Sequence, residues 1–307
     1  VTQLRVAVLG VGLIGGSIGL AARRRLGGSG GVQVLGYDPD PGALEQAIEL
    51  GAIDEPCGRL AEAASVADYV FVATPVGAAI AAAREALDAA GPDCVLSDVG
   101  STKRRIAVEL SDPRFIPGHP LAGAEISGVG GAQEQLFDGA VWYLTPHERT
   151  QAPALARLSA AIEQLGATPV AIGAEAHDRL MASVSHLPHV LANLLVSQAL
   201  RAAPAAGEGG APETVGVNAS FRDATRVAGA NTAVWTDIYL SNADLLAETL
   251  DEAIRELSGV RDALDAEDAG ALAAWNDAAR VARERLAARG GLSSSAPAAR
   301  PTRSEAP

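Results

Sequence analysis

Three things are scarce in this chain of 307 residues. Cysteine occurs only as Cys57 and Cys94, far apart and without Cys-x-x-Cys spacing. Neither a disulfide framework nor a structural zinc site is expected from such a pair. Basic charge is also in deficit. The 24 Lys and Arg against 37 Asp and Glu leave a net charge of −13, whereas a phosphate backbone calls for clustered cations. Nucleic acid is therefore not expected as a partner. The one dense basic run, Arg23-Arg24-Arg25, falls at the expected end of the first helix, where it complements the helix dipole. Long hydrophobic runs are the third absence. None reads as long enough to cross a bilayer, so no membrane partner is expected. The N-terminus enters a strand-like "LRVAVLG" directly, without the ordered regions of a signal peptide, and the expected location is cytoplasmic.

What the chain does have is a hydrophobic fraction of 48%, enough for a packed core, and an ordered alternation of elements. Strands are expected at Val6–Leu9, Val32–Tyr37, Tyr69–Ala73, Val95–Asp98, Phe115–Pro117, Val141–Leu144 and Pro169–Ile172. Helical stretches such as 42–50, 78–89 and 152–165 lie between them, the pattern of a mainly parallel α/β sheet. The strands near Val141 and Pro169 are candidates for antiparallel additions. Past Gly173 only helices are expected, over about 178–201, 213–228, 232–257 and 260–288, with breaks near Gly229 and Gly259. The switch divides the chain into an α/β domain over residues 1–173 and a helical domain over 174–289. Residues 290–307 have the composition of a disordered tail.

"VAVLGVGLIGGSIG" sets Gly10, Gly12 and Gly15 in G-x-G-x-x-G register, after a strand and opening a helix, with Leu13 and Ile14 between the last two glycines. The glycines suit a tight turn, close approach of a pyrophosphate and close helix–strand packing, the signature of a Rossmann-type dinucleotide site. The second strand ends at Asp38, whose carboxylate suits ribose hydroxyls and repels a 2′-phosphate, so NAD is favoured over NADP. Thr74 and Pro75, closing the third strong strand, either line the cofactor or merely turn the chain into the next helix.

Two further strand ends carry polar groups. "LSDVGSTKRRI" brings Asp98, Ser101, Thr102 and Lys103 to the ligand edge, and "FIPGHPLAGAEISG" brings His119 and Glu125. An imidazole there can take a proton from an alcohol at neutral pH. In the helical half, Arg226 is expected to be partly buried and suited to a carboxylate, whereas Arg222 reads as a surface ion pair with Asp223. The apolar stretch "ASVSHLPHVLANLL" holds His186 and His189 three residues apart with Pro188 between them, which is expected to kink the helix. Substrate-facing groups or core histidines are better readings than metal ligands, because no further ligands are placed to help. His177 is expected to touch cofactor or substrate, and His147 to lie on the surface.

"GVGLIGGSIG", "DVGSTK", "GHPLAGAEISG", "HDRLMASVSHLPHVLA" and "FRDATRVA…VWTDIYLSN" stand in the order and spacing of the prephenate/arogenate dehydrogenase family, which the chain resembles over all but its tail. The resemblance implies a Rossmann domain followed by a helical domain that forms a homodimer. It also implies NAD-dependent oxidative decarboxylation of prephenate, or of arogenate, in tyrosine biosynthesis, with no metal. By motif, it implies that His119 is the catalytic histidine with Ser101 as its partner, and that Glu125 lies at the mouth of the site. His189 and His186 would face the substrate, Arg226 would bind a substrate carboxylate, and Trp235 would stand near the site of its own or the neighbouring subunit. No regulatory ACT domain is expected after residue 288. Rival readings are a β-hydroxyacid dehydrogenase, which would want a catalytic lysine where Arg179 stands, a pyrroline-carboxylate reductase, and a non-catalytic NAD sensor.

Overall fold

The computed structural model describes residues 3–123, 126, 128–202 and 218–288. Five short parallel strands, β1 (Leu4–Leu9), β2 (Val32–Tyr37), β3 (Glu55–Pro56), β4 (Tyr69–Val72) and β5 (Val95–Asp98), form a sheet in the order β3-β2-β1-β4-β5. The order reverses at β1, which creates the crevice at which doubly wound sheets bind ligands. The central strands are buried on both faces: Val6, Ala7, Val8 and Leu9 are fully buried, as a sheet covered by helices on both sides requires. The helices α1 (Leu13–Arg25), α2 (Pro41–Glu49), α3 (Leu60–Ser65), α4 (Val76–Ala89) and α5 (Arg104–Glu109) connect the strands. Their starts are readable chemistry in places. Asp40 caps α2 by accepting from the Gly42 N–H at 2.9 Å, with Pro41 as the first helical residue.

The expected strand at Phe115–Pro117 is displaced. Phe115 makes only an isolated bridge to Leu96, and the strand proper is β6 (Gly118–Pro120). With β7 (Val141–Leu144) and β8 (Thr168–Ala171) it forms a separate three-stranded sheet, β6 antiparallel to β7 and β7 parallel to β8. The parallel pair requires a crossover, supplied by α6 (Ala152–Leu165). One core joins this layer to the first sheet, with Trp142 packed between Phe71 and Phe137 at ring-centroid distances of 6.0 and 5.2 Å.

Helices follow: α7 (Ala174–Met181), a π-helical turn over Ala182–His186, α8 (Leu187–Ala202), α9 (Ala219–Thr225), a 3-10 turn over Arg226–Gly229, α10 (Thr232–Ser241), α11 (Ala243–Asp265) and α12 (Ala269–Ala288). The break expected near Gly229 is present, but Gly259 lies inside α11. A single glycine costs a helix interior only about 1 kcal/mol, too little to end it. The breaks sit instead at Asn242 and at residues 266–268, where Glu267 takes a left-handed φ of 54° and Asp268 caps α12 through the Ala271 N–H. The irregularity expected at Pro188 falls just before it, as a wider π turn over Ala182–His186 inside the helix.

Two compact units emerge, one running through Thr249 and the other from Leu250, so α7 to α10 pack as part of the unit that holds the sheet. The continuous helix Ala174–Arg201 corrects the reading that nothing is long and apolar enough to span a bilayer. It has 28 residues, and an 18-residue stretch of it reaches a mean hydropathy of 1.3. It nevertheless buries His177, Asp178 and His186 against other elements.

Candidate active site

The glycine loop after β1 is built as its residue types demand. Gly10 has a φ of +96°, and a Cβ there would lie 2.6 Å from the Ala73 carbonyl oxygen. At Gly15 a Cβ would lie 1.9 Å from the Gly10 carbonyl oxygen, so only glycine lets α1 sit this close to β1. Gly12 is the opposite case. It caps α1, and nothing lies within 4 Å of the place a Cβ would occupy. No side chain caps α1 and no acid stands in its first turn, which opens with the half-buried Leu13 and Ile14. Its free N–H groups therefore face an open cradle suited to an anion.

Asp38 closes β2 half-buried. Its carboxylate accepts from the Val11 N–H at 2.9 Å and from the Asp40 N–H at 2.9 Å, tying the glycine loop to the strand that carries the carboxylate. Each oxygen keeps a lone pair for a hydroxyl. Pro75 caps α4, and the buried Thr74 hydroxyl has no hydrogen-bond partner among the described residues. The open Gly12 face, the uncapped helix and this orphaned hydroxyl together fit a dinucleotide.

At the end of β5 a single buried carboxylate organises two loops. Asp98 accepts from the Gly100 N–H at 2.8 Å and from the Gly118 N–H, at the head of β6, at 3.1 Å; it also pairs with the Lys103 ammonium. Lys103 is the only lysine in the chain and is fully buried. Burial draws its ammonium below the ordinary lysine range against the pull of Asp98.

His119 lies opposite Tyr143 in the β6–β7 register. Its Nδ1 is 2.9 Å from His177 Nε2, and His177 Nδ1 is 2.7 Å from Asp178 Oδ1. Asp178 in turn accepts from the Lys103 N–H at 2.7 Å and the Arg104 N–H at 2.9 Å. His177 thus stands behind His119, fully buried, rather than at the open edge. Burial pushes the Asp178 carboxyl up, but the His177 bond and the two backbone donors outweigh it and hold it below the usual range. Burial, with His177, Lys103 and His186 adding to it, pushes the His119 imidazole well below its ordinary value. A neutral histidine able to accept a proton is the result. Ser101 is half-buried in the loop after β5, and its hydroxyl makes no hydrogen bond to His119 among the described residues.

The two histidines of the helical half are buried and held separately. His186 Nδ1 is 3.2 Å from Asn242 Nδ2, while Asn242 also donates to the Asp178 carbonyl at 2.8 Å. His189 Nδ1 meets the Tyr239 hydroxyl. Trp235 of the same chain stacks on His189 with ring centroids 3.6 Å apart and 9° between planes. Both Nε2 atoms are buried without a hydrogen-bond partner among the described residues, and burial lowers both imidazoles, His186 to about 4. Arg226 lies on the 3-10 turn and is exposed, which corrects the expectation of a partly buried guanidinium. A 3-10 turn of four residues sets its side chain outward where a longer helix face could have covered it. Arg222 is exposed as expected. His147 is half-buried, its ring nitrogens engaging the Asp112 carbonyl and the Arg149 N–H. Glu125 lies outside the described residues. A cavity of about 240 Å³ opens beside the loop after β5, between α4 and α10, lined by Val76, Ile80, Asp98, Thr102, Asp237 and Leu240 among others; neither Ser101 nor His119 lines it.

Two family models match the chain: "Prephenate dehydrogenase, nucleotide-binding domain" over residues 19–171 and "Prephenate dehydrogenase, dimerization domain" over residues 173–277. The chain belongs to the prephenate dehydrogenase family. It is 33% identical over 289 residues to the prephenate dehydrogenase of Bacillus subtilis, covering 92% of this chain and 76% of that one. The A. aeolicus prephenate dehydrogenase in complex with hydroxyphenyl propionate and NAD+ superposes with a TM-score of 0.81 at 26% identity, over 93% of this chain and 99% of that one. Synechocystis arogenate dehydrogenase gives 0.71 at 26% identity, over 94% and 99%. Among the residues of this family member's site, the His177 and Asp178 partnership and the anchoring role of Asp98 were not legible beforehand. Their one sequence signal is a polar pair opening an otherwise apolar helix, and that does not say which loop the pair will meet.

Proposed function

We propose that the chain oxidatively decarboxylates prephenate to 4-hydroxyphenylpyruvate in tyrosine biosynthesis. The observation that carries the reading is the neutral His119 at the ligand edge, its Nδ1 committed to His177. NAD, held by Gly10, Gly12, Leu13, Ile14, Gly15, Asp38, Thr74 and Pro75, supplies the hydride acceptor. His119 accepts the ring-hydroxyl proton as the hydride departs, and Ser101 orients the same oxygen. When the bond to CO2 breaks at the opposite ring carbon, its electron pair passes through the ring to the oxygen, which takes the proton back from His119 to give the phenol, so positioning and one acid–base group suffice. His189, His186 and Trp235 line the ring pocket. The exposed Arg226 grips a substrate carboxylate, with Glu125 at the mouth.

The domains of this reading are residues 1–173 for cofactor and 174–289 for substrate and dimerisation, with a tail over 290–307. A homodimer is supported by the exposed Val184, Leu194, Leu195 and Leu200 on one continuous helix. The free thiols of Cys57 and Cys94 suit a cytoplasmic location. Arogenate is the second reading, favoured by the likeness to the Synechocystis enzyme. Purified protein given NAD with prephenate or arogenate in parallel, and NADP in a second series, tests the whole. NADH formation with prephenate is the expected result. Turnover of arogenate alone would transfer the activity to the second substrate, and NAD binding without turnover of either would leave a cofactor-binding sensor.

A further inference from the structure

Between the neutral imidazole and the helical half runs a buried chain of bonds that proton acceptance by His119 does not by itself require. We propose that His177 and Asp178 are positioning residues that hold His119 in the single tautomer whose Nε2 carries a lone pair. The inference rests on the reading of His119 as the base.

The order of donors follows from the far end. Asp178 is ionised and accepts two backbone N–H groups, from Lys103 and Arg104. An acceptor-only carboxylate requires His177 Nδ1 to carry the proton of their 2.7 Å bond. With the proton of His177 on Nδ1, its Nε2 presents a lone pair, and the 2.9 Å contact requires His119 Nδ1 to donate. Only His119 Nε2 is left to receive a proton. Because the bonds are buried, no water competes to restore the other tautomer. Tyr143 meets the edge of the His177 ring at 5.6 Å and keeps it from turning. When the substrate hydroxyl gives its proton to Nε2, the O–H bond breaks, an N–H bond forms, and the new imidazolium charge is met through His177 by the Asp178 carboxylate. The same carboxylate ties the Lys103 and Arg104 backbone to α7, so one residue sets both the base and the loop that carries Ser101.

The charged and titratable groups around His119 are His177 and Asp178 of α7, Asp98 and Lys103 flanking the loop after β5, Tyr143 of β7, and His186 of the π turn. The first measurement is the nitrogen chemical shifts of the His119 ring in the wild-type protein, which need no turnover. A protonated Nδ1 with a bare Nε2 is expected; the reverse tautomer would overturn the proposal whatever the substrate proves to be. The second compares His177→Phe with His177→Gln. Phenylalanine removes the acceptor, and kcat should fall roughly tenfold to a hundredfold with KM nearly unchanged. Glutamine offers an amide oxygen to His119 and an amide N–H to Asp178, so it should recover most of the rate and the wild-type pH profile. Equal loss in both folded variants, with the His119 tautomer unaltered, would reduce His177 to a packing residue. A silent enzyme whose His119 still shows the expected tautomer would sink the proposed activity and leave the relay standing.

Discussion

The charge state of a histidine is set here by its surroundings. Burial is the main cause that keeps His119 neutral; if it is the base proposed above, His119→Asn should lower kcat by roughly 10²- to 10⁴-fold while the fold persists, which steady-state kinetics beside a thermal melt would check. Asp38 is the other residue whose chemistry can be tested singly. Its oxygens hold the Val11 and Asp40 N–H groups and retain lone pairs for a ribose. Asp38→Ala should raise the KM for NAD at least about tenfold, the loss of one charged hydrogen bond, and narrow the preference over NADP. An unchanged ratio of the two cofactors would remove Asp38 from the selectivity argument. Both residues were legible as candidates because each stands in a motif of fixed spacing, although His119 proves to lie inside the short β6 and not after a strand. Arg226 was legible as a residue but not in its exposure, because a short 3-10 turn and a longer helix begin with the same letters.

Strands β1, β2, β4 and β5 fell where the apolar runs placed them, since a strand covered on both faces needs an unbroken apolar stretch; the exposed two-residue β3 has no such run and was not expected. Helix ends were harder. Gly259 looked like a stop and is not, while Asn242 ends α10 because its side chain is drawn into the buried bonds with Asp178 and His186. The contact between α1 and β1 is the element-scale feature most open to test. At Gly15 a Cβ would meet the Gly10 carbonyl oxygen and the Val8 side chain at once, so Gly15→Ala should force α1 away from the strand. A loss of about 1–3 kcal/mol in chemical denaturation is expected, together with weaker NAD binding. A variant of wild-type stability would mean that helix and strand can separate without cost.

For the whole molecule, the buried histidines make stability depend on acidity. Burial lowers His119, His186 and His189, with His186 at about 4, whereas an unfolded histidine titrates near ~6.5. Between those values the unfolded chain binds protons that the folded chain refuses. Stability is therefore present in full above about pH 6.5 and is lost as the pH falls toward about 4. Denaturation midpoints across that window should fall with acidification, and His186→Gln should flatten the slope. A slope equal to wild type would show that His186 takes up its proton without unfolding. The exposed Val184, Leu194, Leu195 and Leu200 bear on assembly, and sedimentation at assay concentrations should give a dimer, weakened by Leu195→Glu. A stable monomer would require another explanation for so much exposed apolar surface.

From the sequence alone came the α/β layer with its glycine cradle, the helical second half, His119 as a candidate for the ligand edge and the expectation of NAD, because each is encoded by residue types at short, fixed spacings. The tertiary structure alone decided what stands behind His119, which carboxylate ties the Ser101 loop to β6, where the helices break and how exposed Arg226 is. Those contacts join residues that lie from 20 to 75 positions apart, and no local pattern states which distant side chain will close a buried hydrogen bond. Burial then holds the His119 imidazole neutral, a property that belongs to its surroundings and is written in no single residue.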